Sequence, residues 1–274
     1  PRPMLDRLPK SRSLLVNKGF KNEGIAVVLA RLSSRSATNI VRGVSIGATN
    51  RSFVDFPAML EEIVEAFWVA EGCPYFSYYE LNISCPNLQN LADVKPSLAS
   101  SEGLNRLLLA LTPLQLVRPV FIKLPLERTE TEMQALIAVA LPHAFVTGLI
   151  FSNLAKDRNN PAFDAGEIAR AGRGNFSGKP TEAQSNALLR FAYRHYRDRF
   201  ILIGTGGIFS AEDAYAKIRS GASLVQLITG MIYEGPQLIG QINAGLVALL
   251  RRDGYTNVHE AIGADVALPE IIRP

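Results

Sequence analysis

The stretch FILIGTGGIFSAEDAYAKIRSGASLVQLITG, residues 200 to 230, decides the fold. It opens with an apolar, β-branched run at 200–204 and breaks at Gly206 and Gly207. Ser210 followed by Asp213 reads as a capping box, Gly221 closes the helix, and a second apolar run at 224–229 ends in Gly230. Strand, glycine turn, capped helix and second strand make one βα repeat of a parallel sheet. Glycines at two successive strand ends let backbone N–H groups approach a phosphate, although either turn taken alone is equally a plain tight turn.

Working outward, the same alternation recurs from Gly43 onward. Further strands are expected at 43–47, 78–84, 120–125 and 148–153, which makes six with the two above. Met59, Ile63 and Phe67 form a helical stripe that ends at Gly72, and Thr129 with Glu132 and Thr181 with Gln184 read as further capping boxes. A further helix is expected from about Pro236 to Arg252, stopping at Gly254, and an early one over 24–32 after an irregular segment at 14–22. No linker or low-complexity tract divides the chain, so residues 1–274 read as one domain. The pattern fits an α/β (β/α)8 TIM barrel. Such a barrel needs eight strands, so the first two are expected upstream of Pro1. An open doubly wound sheet would tolerate six.

Composition narrows the class less than pattern does. Lys and Arg outnumber Asp and Glu by 29 to 25, an excess too small to demand a nucleic-acid or lipid partner. Arg190, Arg194 and Arg197 lie at helical spacing opposite Leu188, Ala192 and Tyr196, as on a solvated helix face. Cys73 and Cys85 have neither a CxxC partner nor a histidine at metal-ligand spacing, so neither a disulfide framework nor a metal is expected. The longest apolar stretches are short or broken by Pro142, and the polar, basic start lacks a signal-peptide core.

Three constellations carry chemistry at strand ends, which in a barrel form the catalytic face. In ELNISCPN, residues 80–87, Asn82 and Asn87 each offer a donor and an acceptor that match the alternating edge of a pyrimidine. Cys85 is either a base or a small buried hydrophobe. Lys123, a lone charge in the apolar run VFIKLP, needs an anionic partner, either a reduced flavin or a neighbouring carboxylate. Ser152 and Asn153 end the next strand, and Ser177-Gly178 lies in the loop GNFSGKP that would reach over the same rim.

NISCPN, the Lys of FIKL, the Ser-Asn after GLIF, the NFSGKP loop and GTGGIFSAEDAYAKIRSGASLVQLITGMIYEGP together resemble dihydroorotate dehydrogenase, in the family's order and over nearly the whole chain. The resemblance implies oxidation of dihydroorotate to orotate in pyrimidine (UMP) biosynthesis, with FMN as cofactor. It makes Cys85 the catalytic base. It assigns Asn17, Phe20, Asn82, Asn87 and Asn153 to the substrate, and Ser45, Asn82, Lys123, Ser152 and Ser177 to the isoalloxazine and ribityl parts of the flavin. Gly178, Gly206, Gly207, Ile228, Thr229 and Gly230 would hold the ribityl chain and phosphate. RLPKSRSLLVNKGFKNEG and EGPQLIGQINAGLVALLRRDGY are similar to the membrane-associated, quinone-reducing class, whereas Cys85 resembles the soluble class. A quinone is thus the implied second substrate. The implied location is the cytoplasmic side of the inner membrane, with any peripheral contact made by a segment upstream of Pro1. Val16, Ser45, Leu154 and Ile228 depart from that class, as does LQNLADV after Asn87. Two rivals stay open: a related FMN barrel acting on another pyrimidine, tRNA uridine included, and a non-enzymatic relative.

Overall fold

The computed structural model describes residues 4–34, 40–87 and 93–268. In chain order the elements are β1 (Leu5–Leu8), β2 (Ser13–Val16), α1 (Ile25–Ser33), β3 (Gly43–Ile46), α2 (Phe56–Glu71), β4 (Tyr78–Asn82), α3 (Ser101–Leu111), β5 (Val120–Lys123), α4 (Glu130–Ala140) and β6 (Val146–Phe151). They continue with α5 (Ala165–Arg170), β7 (Asn175–Gly178), α6 (Glu182–Tyr196), β8 (Ile201–Thr205), α7 (Ala211–Arg219), β9 (Leu224–Gln226), α8 (Thr229–Glu234), α9 (Leu238–Arg252) and α10 (Val258–Ala261). All six expected strands are present, as β3, β4, β5, β6, β8 and β9, and they follow one another in that order in one sheet. A doubly wound sheet reverses its strand order at a switch point, so this sequential order excludes that alternative.

The chain divides into two compact units, residues 18–124 with 131–148, and residues 1–17 with 125–130 and 149–274. In the first, β3 pairs in parallel with β4 and β4 with β5, bringing Ile46 opposite Leu81 and Asn82 opposite Lys123. A Cβ on Gly43 would fall 2.1 Å from the Tyr78 ring, so any other residue there would displace that ring. The side chain of Asp55 caps α2 by accepting from the Ala58 N–H, and the expected stripe of Met59, Ile63 and Phe67 is buried. Phe67 meets the ring of Tyr79 on β4 edge-on at 5.3 Å, which locks helix to sheet. Truncating a buried aromatic of this kind costs about 3–5 kcal/mol.

In the second unit, β8 and β9 pair in parallel, with Thr205 opposite Gln226. The Ser210 side chain accepts from the Asp213 N–H as the capping box requires, and Asp213 in turn accepts from the Phe209 N–H. Ala214 on α7 and Ile208 just before it pack with Leu238 and Ile242 on α9. This approach is close enough that a Cβ on Gly245 would lie 2.4 Å from that of Ala211.

The structure corrects several sequence expectations here. The basic start, the segment at 14–22 and the NFSGKP loop contain strands: β1, β2 and β7 form a separate antiparallel sheet in which Ser13 faces Gly178 and Val16 faces Asn175. Leu15 and Phe176 are fully buried in its core with Leu8, Leu126 and Ala155. Thr181 does not cap α6, because its hydroxyl donates to the Gly178 carbonyl at 2.8 Å instead. The helix expected from about Pro236 begins at Leu238, and a short one, α10, follows it. Arg190, Arg194 and Arg197 are half-buried rather than solvated, with Arg190 donating to Ser220 Oγ at 3.1 Å and Arg194 to the Ala267 carbonyl at 3.2 Å.

Candidate active site

In the unit of residues 18–124 and 131–148 the C-terminal ends of β3, β4 and β5 bring together Ser45, Asn82, Cys85, Asn87 and Lys123. Parallel pairing puts the ends in register, so one sequence position per strand suffices to line them up. Asn82 and Asn87 are buried. The Asn82 side-chain oxygen accepts from the Ser84 N–H, which folds the turn that presents Cys85, and Ser84 Oγ donates to the Lys123 carbonyl at 2.9 Å, which ties this turn to β5. Phe20 belongs to the same group: a Cβ on Gly47 would lie 3.0 Å from the Phe20 ring and 2.9 Å from the Asn82 carbonyl, so only glycine fits between them.

Burial pushes the Cys85 thiol up from its ordinary value. The Asn87 N–H and the positive charge of Lys123 oppose this without cancelling it. Cys85 is thus a weaker acid than an ordinary thiol. Lys123 has the carboxylate partner that its place in an apolar strand called for, in Glu80 on β4 at 3.3 Å. Glu80 also accepts from Ser45 Oγ at 3.0 Å, so one buried carboxylate joins two residues assigned to the flavin. Sequence reasoning passed over Glu80, although it is a lone charge in YYELN and satisfies the rule that singled out Lys123.

The other unit holds the second group. Ser177 on β7 and Thr229 at the start of α8 are joined by a hydroxyl hydrogen bond of 2.7 Å. Gly178 has φ 85°, and a Cβ there would lie 2.3 Å from the Arg12 carbonyl. Gly206 and Gly207 follow β8 with φ of 96° and 77°, in the region that favours glycine. At Gly230 a Cβ would fall 2.0 Å from the Ile208 carbonyl, so no other residue fits. Ser152 follows β6, and its hydroxyl is buried with no hydrogen-bond partner among the described residues. A buried hydroxyl left unsatisfied costs about 1–3 kcal/mol, so a ligand atom is its natural partner. Bare backbone at two turns and one waiting hydroxyl fit the phosphate and polar edge of a flavin mononucleotide.

The remaining assigned residues are placed less tightly. Asn153 accepts the N–H of Leu154 at 3.0 Å, Asn17 is buried beyond the end of β2, and Ile228 is 58% exposed. Val16 ends β2 opposite Asn175, so this departure sits in a strand pair. Most of LQNLADV lies outside the described residues.

Parallel strands taken in sequential order, with helices between them and polar groups gathered at the strand ends, define the class of α/β barrel-type enzymes. The chain belongs to the dihydroorotate dehydrogenase family, whose profile matches residues 1–250. It is 38% identical over 273 residues to a dihydroorotate dehydrogenase (quinone) of Deinococcus deserti, covering 96% of this chain and 72% of that one. A protein of the same name from Parvibaculum lavamentivorans is 38% identical over 270 residues, covering 98% and 73%. Among solved structures, the DHODH of Eimeria tenella in complex with ferulenol superposes with a TM-score of 0.84 at 26% identity, over 97% of this chain and 75% of that one. The fold is accordingly the TIM-barrel-like α/β class expected from sequence. Among the described residues no helix is long and apolar enough to cross a membrane.

Proposed function

We propose that this chain oxidises dihydroorotate to orotate, with FMN as cofactor and a quinone as electron acceptor. The observation that carries the reading is the turn after β4, where the buried Asn82 and Asn87 flank Cys85. Amide side chains offer the donor and acceptor pairs that a pyrimidine edge needs, and a thiol can accept a proton from carbon.

In the unit of residues 18–124 and 131–148, Asn82 and Asn87, with Phe20 beside them, orient the ring, and Cys85 Sγ removes the proton from C5 in its thiolate form. Lys123 presents its ammonium and Ser45 its hydroxyl to the flavin, with Glu80 fixing both. In the other unit, Asn153 and Asn17 are further amides for the substrate, and Ser152 and Ser177 take the polar groups of the flavin. Gly178, Gly206, Gly207, Ile228, Thr229 and Gly230 hold the ribityl chain and phosphate, mainly by backbone. Bound FMN supplies the two-electron acceptor for the hydride that leaves C6. The quinone assignment is supported by the names of the relatives at 38% identity.

The test is anaerobic addition of dihydroorotate to the purified protein, followed by a short-chain quinone. A yellow protein that bleaches and then recovers its colour is the expected result. Reoxidation by NAD+ or fumarate but not by quinone would move it to the soluble class. Absence of bleaching would overturn the assignment, and salt-sensitive tRNA binding on filters would then favour the uridine reading.

A further inference from the structure

Lys217 lies on α7 and is 0% exposed. A buried amine is costly unless it is hydrogen-bonded, and here both partners are neutral: Ser185 Oγ at 3.0 Å and Asn186 Oδ1 at 2.8 Å. Ser185 is fully buried too. Its hydroxyl lies 3.0 Å from the Phe151 carbonyl and 2.8 Å from the Thr205 carbonyl. These carbonyls belong to the peptides that carry Ser152, the residue with the unpartnered buried hydroxyl, and Gly206, the first residue of the glycine turn. Space for the lysine is built in as well, since a Cβ on Gly204 would lie 3.0 Å from Lys217 Cδ. One amine thus reaches, through one hydroxyl, the ends of two strands.

We propose that Lys217 is a positioning residue for the flavin: acting through Ser185, its ammonium holds the Phe151–Ser152 and Thr205–Gly206 peptides and adds positive charge beneath the strand end that leads to the phosphate turn. This deepens the FMN reading above and rests on it. A charged donor strengthens the hydrogen bond that it feeds, and the effect is larger in a low-dielectric interior. Burial brings the amine down to about 7. Other charges around it are Glu182 and Arg190 on α6, Lys179 just before that helix, and Asp213 on α7 itself. Lys179 is in turn paired with Glu182 at 2.7 Å and Asp213 at 2.6 Å. Lys217 therefore loses its charge near neutral pH, and its hold on the two peptides weakens as the pH rises.

The test measures FMN release, by fluorescence, on dilution of the purified holoprotein. Lys217→Met keeps the bulk and removes the charge, while Ser185→Ala keeps the amine and breaks the relay. Each should raise the FMN dissociation constant about tenfold, the loss expected for one charge-assisted hydrogen bond, and the double variant should lose no more than the worse single one. The FMN phosphate ionises in the same range, so the reading is a difference: affinity should fall more steeply in the wild type than in Lys217→Met as pH rises from about 6 to 8. Should Lys217→Met fail to fold, Ser185→Ala decides. Wild-type affinity in the folded variants, or the same pH profile in Lys217→Met as in the wild type, overturns the proposal alone. A wild-type protein that binds no FMN overturns the flavin reading and the proposal with it.

Discussion

The base assignment makes the sharpest kinetic prediction. An ordinary thiol near ~8.5 is about 3% ionised at pH 7. Burial of Cys85 lowers that fraction further, and the Asn87 N–H and Lys123 return only part of it. If the thiolate is the reactive form, flavin reduction by dihydroorotate should rise about tenfold per pH unit and level off only above the ordinary thiol value. Removing a general base typically costs ~10²–10⁴ in rate, so Cys85→Ala should slow the reaction by about that much while leaving FMN bound. Cys85→Ser should retain activity that is displaced to still higher pH, because a hydroxyl is far less acidic than a thiol. Stopped-flow bleaching of the flavin reads all three proteins on one axis. A Cys85→Ala protein that bleaches at the wild-type rate from about pH 6 to 9 would refute the assignment, as would a wild-type inflection below that of a free thiol.

Two further outcomes follow from charges that the structure pairs. Glu80 accepts from both Lys123 and Ser45, so Glu80→Gln leaves the lysine charge uncompensated and should raise the flavin midpoint potential by on the order of 30 mV, the equivalent of about 1.4 kcal/mol for a two-electron couple; an unchanged potential would detach Lys123 from the flavin. Glu167 accepts from the N–H groups of Lys10 and Ser11 and from Ser11 Oγ, closing the β1–β2 turn onto α5. Although burial opposes its charge, these donors outweigh it and hold the carboxyl below its usual range. That stability is present above the carboxylate range and is lost as pH falls through the depressed value. Glu167→Ala should therefore cost about 1–3 kcal/mol in melts at neutral pH and progressively less in acid; an equal cost at both would show that the charge is irrelevant.

The parallel sheet was legible because its central strands β4, β5 and β6 are buried almost throughout, and such strands read as short apolar runs bounded by glycine or proline without help from their partners. For the same reason Lys123, Asn82 and the glycine turns were visible as exceptions within apolar or regular segments. The Ser210 cap was readable because it bonds three residues ahead, whereas Thr181, with the same spacing, was decided by the nearby Gly178 carbonyl. What escaped was whatever depends on a distant partner. SLLV and NFSG are four-residue segments with no clear period, and they pair with each other across more than a hundred and fifty residues, while LDRL joins this sheet only through SLLV.

The candidate site divides along the same line. The residue types, their order and their places at strand ends belong to the amino-acid sequence alone, since each is set by its own strand or turn. Tertiary structure decided their states. Lys217 reads in AEDAYAKIR as one more polar residue on a helix, and it is buried only because Gly204 leaves room for its stem and Ser185 and Asn186 receive its amine. Cys85 reads as a free thiol, and its environment makes it a weaker acid. A local pattern can specify backbone shape through short-range sterics and hydrogen bonds. Desolvation and charge pairing are set by groups that the chain brings together only on folding.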